Sequence, residues 1–163
     1  MKYCPECGAP LSRKEIEGRP RAYCPRCGKV FYARPKVGAG CLIEEEGRLL
    51  LLRRAREPFK GCWNLPAGYV EIDEEPSETA VRETREETGL QVEARELAGV
   101  YAFADDPRGN GLLIVYRCEI VGGEVQETAE GKDGAFFSKE ALPDHLAGGG
   151  HDRAIRAWAE ARE

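Results

Sequence analysis

The sequence has no apolar run of membrane-spanning length, and its start, MKYCPECGAP, lacks the apolar stretch of a secretory leader. A cytoplasmic protein that does not enter the membrane is therefore expected. Low-complexity tracts are absent, and nothing repeats except a doubled C-P-x-C-G. Wholesale disorder is excluded: 42% of the 163 residues are hydrophobic and 33% are charged, enough to build a core. The length suits one domain, or one domain with a small appendage.

Charge is unevenly spread. Residues 1–36 hold nine Lys/Arg against three Asp/Glu, a balance of +6, so the rest of the chain carries −11. That asymmetry suits a basic appendage facing acidic groups or phosphates, and it can also mark a nucleic-acid patch. The seven cysteines are of two kinds. Cys41, Cys62 and Cys118 stand singly among apolar or aromatic neighbours and read as buried small hydrophobes. An odd count with no leader argues against a disulfide framework.

Cys4, Cys7, Cys24 and Cys27 form two C-x-x-C pairs separated by sixteen residues. This spacing fits a four-thiolate zinc site. The segment is too short and polar for a core of its own, so the metal would supply folding energy. Four protein ligands leave no open position for a catalytic water, which makes the site structural. The competing reading, a redox-active cysteine pair, would need a strand–helix context that is missing. Residues 1–34 thus read as a small Cys4 zinc ribbon, and 35–163 as a second domain.

In that domain Val37, Ala39, Cys41 and Ile43 alternate, as in a strand with one apolar face. EEEGR supplies a turn, and Leu49–Leu52 reads as a buried strand. Arg53 and Arg54 close it, where they would meet phosphates or solvent. EPFKGCWNLPAGYVEID is rich in Pro and Gly and reads mainly as loop. QVEARELAGVYAF, LLIVYRCEI and AFFS are strand-like, and ADDPRGNG is a polar loop between the first two. In HDRAIRAWAEARE, residues Ile155, Trp158 and Ala159 share a helical face.

No helix breaker lies between Glu78 and Thr88; Pro76 suits a first helical turn and Gly89 a left-handed stop. On this helix Glu83, Glu86 and Glu87 fall on one side, with no lysine among them. Like charges at these spacings repel by about 0.2–0.5 kcal/mol per pair. Periodicity leaves two readings open, a solvated acidic face and a site for hard divalent cations, which take oxygen ligands.

The surrounding spacing is more specific. Gly68, five residues, Glu74, seven residues, and then Arg82-Glu83-Thr84-Arg85-Glu86-Glu87-Thr88-Gly89-Leu90 resembles the Nudix box of the Nudix hydrolases. Thr84 is the one departure, standing where an aliphatic residue is usual, on the packing side of the helix. The resemblance extends from about Pro35 to about Pro143 and implies an α/β Nudix fold, a mixed sheet between helices. It implies Mg²⁺ or Mn²⁺ on Glu83, Glu86 and Glu87, with the Ala67 carbonyl as a further ligand. Arg82 would orient the glutamates through a forked ion pair, with Glu74 as an orienting or structural carboxylate. A later acid would assist the attacking water: Asp133, with Glu127 and Glu130 as rivals, each equally readable as an exposed loop acid.

The implied reaction is hydrolysis of a diphosphate joining a nucleoside to a second group. A ribbon ahead of a Nudix box is similar to the NADH diphosphatases, but their Ser-Gln-Pro-Trp-Pro-Phe-Pro-like stretch is missing here. The compact ribbon–Nudix group that includes FAD and ADP-ribose diphosphatases is closer. Trp63, Tyr101 or Phe103 would stack on a base or pack in the core. The partner implied is a nucleotide-type small molecule, and the sequence is compatible with a homodimer. An alternative class is a regulator whose ribbon binds nucleic acid and whose Nudix domain senses a ligand; the full set of glutamates with Arg82 disfavours it.

Overall fold

The computed structural model describes residues 1–126 and 131–161. Two compact units emerge, Met1–Arg34 and a second from Pro35 onward. In the first, β1 (Ser12–Ile16), β2 (Arg19–Tyr23) and β3 (Val30–Phe31) form an antiparallel sheet in that order. Each C-P-x-C-G closes a tight turn. The N–H of Gly8 donates to the Cys4 carbonyl and that of Gly28 to the Cys24 carbonyl, both at 2.9 Å. Both glycines are left-handed, at φ 71° and 74°, which is why the motif ends in glycine.

The turns bring the four sulfurs within 4.8 Å of one another. Cys4 and Cys27 lie 3.7 Å apart, Cys7 and Cys24 3.5 Å. Sulfurs placed tetrahedrally about 2.3 Å from a zinc ion would be separated by about 3.8 Å, so the cluster fits that ion. The backbone N–H of Cys27 favours the thiolate of Cys24, the form in which a cysteine ligates a metal.

The second unit is built on the sheet order β10-β5-β4-β9-β8. Its strands are β4 (Lys36–Glu45), β5 (Arg48–Arg54), β8 (Gln91–Phe103), β9 (Gly111–Gly122) and β10 (Gly131–Ser138). β4 and β9 run parallel and the other neighbours antiparallel, so the sheet is mixed. The segment expected to be mainly loop contributes two short strands. β6 (Trp63–Asn64) pairs with β5, and β7 (Ala67–Tyr69) with β4. Tertiary pairing overrides the local Pro and Gly signals there.

Helices α1 (Pro76–Thr88) and α2 (His151–Glu160) lie against opposite faces of this sheet. Ala39, Cys41, Ile43 and Leu50 pack with Ala80 of α1. Leu42, Leu49 and Leu51 pack with Ala154, Ile155 and Trp158 of α2. Alternate residues of β4 therefore serve opposite layers, and both of its faces are buried rather than the single face its alternation suggested. Full burial of a large apolar side chain such as Ile155 contributes about 1.5–3 kcal/mol, and the indole N–H of Trp158 is satisfied by Glu44 at 2.6 Å.

Cys41 and Cys118 are buried as expected, but they are joined by a disulfide across the parallel β4–β9 pair rather than standing as single thiols. Cys62 is half-buried and free. Among the described residues no helix is long and apolar enough to cross a membrane.

Candidate active site

Helix α1 starts where its sequence says it should. Pro76 is its first residue, and the N–H of Glu75 donates to the Glu78 carboxylate at 3.2 Å, holding the first turn. Gly89, at φ 78°, ends the helix by donating to the Arg85 carbonyl at 2.9 Å. Thr79, Ala80, Thr84 and Thr88 form the buried side. Thr84 is completely buried, and its hydroxyl donates to the Ala80 carbonyl at 2.8 Å, so threonine in place of an aliphatic residue leaves no polar group unsatisfied.

The glutamate side is organised by Arg82. Its Nε and Nη2 donate to the two oxygens of Glu74 at 2.6 and 2.9 Å, a forked pair. Its Nη1 reaches Glu83 at 2.8 Å and Glu86 at 3.3 Å. Glu74 also accepts from the Thr79 hydroxyl at 2.7 Å. Arg82 and then Thr79 hold the Glu74 carboxyl down at about 2. One cation thus serves three carboxylates, while Glu87 accepts the N–H of Ala67 at 3.0 Å. Strand β7 passes so close to α1 that a β-carbon on Gly68 would overlap the Glu83 carboxylate.

Glu83 and Glu87 open into a cleft of about 450 Å³, within the range of small-molecule sites. Ala67, Gly68 and Tyr69 of β7 line it beside them. Arg54, Arg56 and Arg108 supply positive charge, and Phe59 and Phe103 supply apolar wall. Arg108 is held by a fork to the buried Asp106, with Nη2–Oδ2 at 2.6 Å and Nε–Oδ1 at 3.0 Å. That pairing keeps the Asp106 carboxyl below its usual range. The Arg108 guanidinium lies 5.5 Å from the centre of the Tyr69 ring. Burial, and then the like charge of Arg108, work against the charge on Arg54; a bound anion would relieve both effects.

Where α2 begins, Gly148, Gly149 and His151 complete the wall. Asp105 ties this turn down by accepting the Gly149 N–H at 3.1 Å. Burial, and then the Arg54 charge, push His151 down to about 3. Its Nδ1 is buried and has no hydrogen-bond partner among the described residues.

The residues singled out in the sequence divide accordingly. Glu83, Glu87, Ala67, Arg54 and Phe103 line the cleft. Arg82, Glu74 and Glu86 adjoin it through the ion-pair cluster, Glu86 being the most exposed of the three glutamates on that side. Trp63 does not line it: it packs on the core with its ring 4.8 Å from that of Phe137, edge to face. Tyr101 likewise packs on the α2-side core. Arg53 and Asp133 are exposed and face each other at 4.0 Å, at the bulge where β10 meets β5; neither lines this cleft, but Arg53 lines a smaller pocket that shares Arg54, Arg56 and Glu87 with it. Glu127 and Glu130 fall outside the described residues.

The sequence reading missed Arg56, Phe59, Asp106, Arg108 and His151. A sequence signal existed for one pair: an acid two residues before an arginine in the turn-rich ADDPRGNG can close on it. The others depend on loops brought together from far along the chain.

Comparison with known proteins agrees with this geometry. The NUDIX domain model matches residues 34–158, and the Nudix N-terminal zinc-ribbon model matches residues 2–33. The chain belongs to the Nudix family. A relative from Methanocaldococcus jannaschii named ADP-ribose pyrophosphatase is 42% identical to this Nudix chain over 114 residues, 69% of this chain and 68% of that protein. A protein of Chromobacterium violaceum named NAD-capped RNA hydrolase NudC is 33% identical over 145 residues, 87% of this chain. The chain spans about half the length of that NudC relative, 52%. Among solved structures, a NUDIX hydrolase from Nitrosomonas europaea superposes with a TM-score of 0.79 at 34% identity, covering 98% of this chain and 92% of that one.

Proposed function

We propose that the chain hydrolyses the diphosphate of an ADP-linked compound such as ADP-ribose, FAD or NADH, releasing AMP and the phosphorylated second group. Membership of the Nudix diphosphatases supports the enzyme class. The observation that carries the reading is the meeting of Glu83 and Glu87 with Arg54, Arg56 and Arg108 in one cleft. The relative named ADP-ribose pyrophosphatase supports the ADP-ribose member of the set.

The donor set suits a hard divalent ion such as Mg²⁺ or Mn²⁺, because the acids outnumber the one arginine among them and offer only oxygen. Glu83, Glu86 and Glu87, with the Ala67 carbonyl, would hold it. When bound, such an ion supplies charge that offsets that of the diphosphate and of the departing phosphate. The chain's own groups do the rest. Arg54 and Arg108 bind phosphate oxygens, Arg108 with its guanidinium already oriented by Asp106. Arg82 fixes the direction of Glu83 and Glu86. Phe59, Phe103 and Tyr69 offer flat apolar surface to the base.

A water attacks phosphorus, its proton passes to a carboxylate, and the bridging P–O bond breaks. Glu83 or Glu87 is better placed than Asp133 to take that proton, because both open into the cleft and Asp133 faces Arg53 instead. The test is a panel of ADP-ribose, NADH, FAD, dinucleoside polyphosphates and NAD-capped RNA with Mg²⁺ or Mn²⁺, products resolved by chromatography. Metal-dependent AMP release from an ADP-linked compound is expected. Tight binding with no turnover of any of them would replace the enzyme with a ligand-sensing regulator.

A further inference from the structure

A second surface, within the first unit alone, has the opposite character to the acidic helix. Residues 1–34 carry eight Lys/Arg and three Asp/Glu, while the whole chain has a net charge of −5. The ribbon stays positive even when four thiolates and a divalent ion are counted. Its strand β3 pairs only with Ala22 and Tyr23 of β2, so the Arg19–Arg21 stretch has no strand beside it on that side among the described residues. A groove of about 960 Å³ is lined by Lys2, Arg13, Arg19, Arg21, Phe31 and Tyr32, among others, and by no Asp or Glu.

Lys2, Arg13 and Arg19 are exposed, so the groove presents positive charge to solvent. Tyr32 is 53% exposed, and the Arg21 guanidinium lies 4.4 Å from the centre of its ring. Glu17 pairs with Arg21 at 3.4 Å but is 69% exposed and lies outside the groove lining, where water screens it.

We propose that this groove docks single-stranded nucleic acid, with the four cations on successive phosphates and Tyr32 stacked on a base. Cations tracking a backbone beside an open aromatic face are what a sequence-tolerant single-strand site needs. A duplex hides its base faces and leaves Tyr32 nothing to stack on. This reading is independent of the chemistry assigned to the cleft.

The test uses the whole 163-residue chain and a labelled oligothymidylate of about a dozen nucleotides with a 5′-hydroxyl. That probe holds no diphosphate for the cleft to cleave. Binding read by fluorescence anisotropy should weaken with salt, with log K falling against log salt at a slope between about −2 and −3, as for three to four phosphate contacts on a single strand. Replacing Arg13→Gln together with Arg19→Gln should flatten that slope by roughly 1.4. Tyr32→Ala should weaken binding by about fivefold or more, and Tyr32→Phe should restore it, since the phenyl face is what stacks. Zinc content and small-substrate hydrolysis should be unchanged in all these variants, showing ribbon and cleft intact.

The wild-type salt slope and a comparison with duplex of the same sequence need no variant; the duplex should bind at least about tenfold more weakly. The proposal is overturned if wild type does not bind at low salt, or if duplex binds as well as single strand. Indifference of binding to the Arg13 and Arg19 changes would also overturn it. So would capture by anionic lipid vesicles in preference to the oligonucleotide.

Discussion

Arg82 shows how one residue sets the local electrostatics. It forks onto Glu74 on one side and reaches Glu83 and Glu86 on the other. Glu74 serves as anchor, and its carboxyl is held at about 2. An unfolded chain binds a proton on this carboxyl near the ordinary glutamate value, about 4.3. The ion pair's contribution to stability is therefore complete above that value and is lost as pH falls through about 2. Thermal melts of wild type and Glu74→Gln should differ above pH 5 and converge as pH falls from 5 to 2; parallel curves would remove the ion pair from the stability of the unit. Glu87→Gln keeps the shape of the residue and its contact with the Ala67 N–H, but removes its charge. It should lower metal-dependent turnover by at least about 100-fold with an unchanged circular dichroism spectrum. Full activity would take Glu87 out of the mechanism.

At the scale of elements, the site depends on how closely β7 lies on α1. A β-carbon at Gly68 would overlap the Glu83 carboxylate, so a larger residue there must displace that side chain. Overpacking of this kind costs about 1–3 kcal/mol and displaces the more mobile partner, here Glu83. Gly68→Ala should therefore weaken activation by Mg²⁺, read as a higher half-saturating metal concentration, while the melting temperature falls by only a few degrees. An unaltered metal dependence would show that the two elements are not coupled in this way. The elements also separate what sequence reveals from what it hides. The limits of α1 were legible because Pro76 and Gly89 act through their own backbones. β6 and β7 were not, because their pairing with β5 and β4 stabilises a segment whose local chemistry favours loop.

At the scale of the whole molecule, the two units are held by different forces. Residues from Pro35 onward bury two apolar layers around a sheet. Met1–Arg34 has a three-stranded sheet and four clustered sulfurs, and a metal held by those sulfurs would supply much of its folding energy. Removing zinc with a strong chelator, confirmed by metal analysis, should open residues 1–33 to limited proteolysis well before the remainder. Equal protection of both parts would refute a structural metal. The sequence by itself determined the cysteine cluster, the α1 glutamate face with its arginine, and the family, because each is written in residues a few positions apart. Only the tertiary structure decided which distant groups share the cleft. It placed Arg108, Arg56 and His151 beside Glu83 and Glu87, kept Arg54 and Phe103 there, set Arg53 in a smaller pocket that shares Arg54, Arg56 and Glu87, and left Trp63, Tyr101 and Asp133 elsewhere. The physical reason is that neighbourhood across loops is set by strand register and layer packing, which no local spacing encodes.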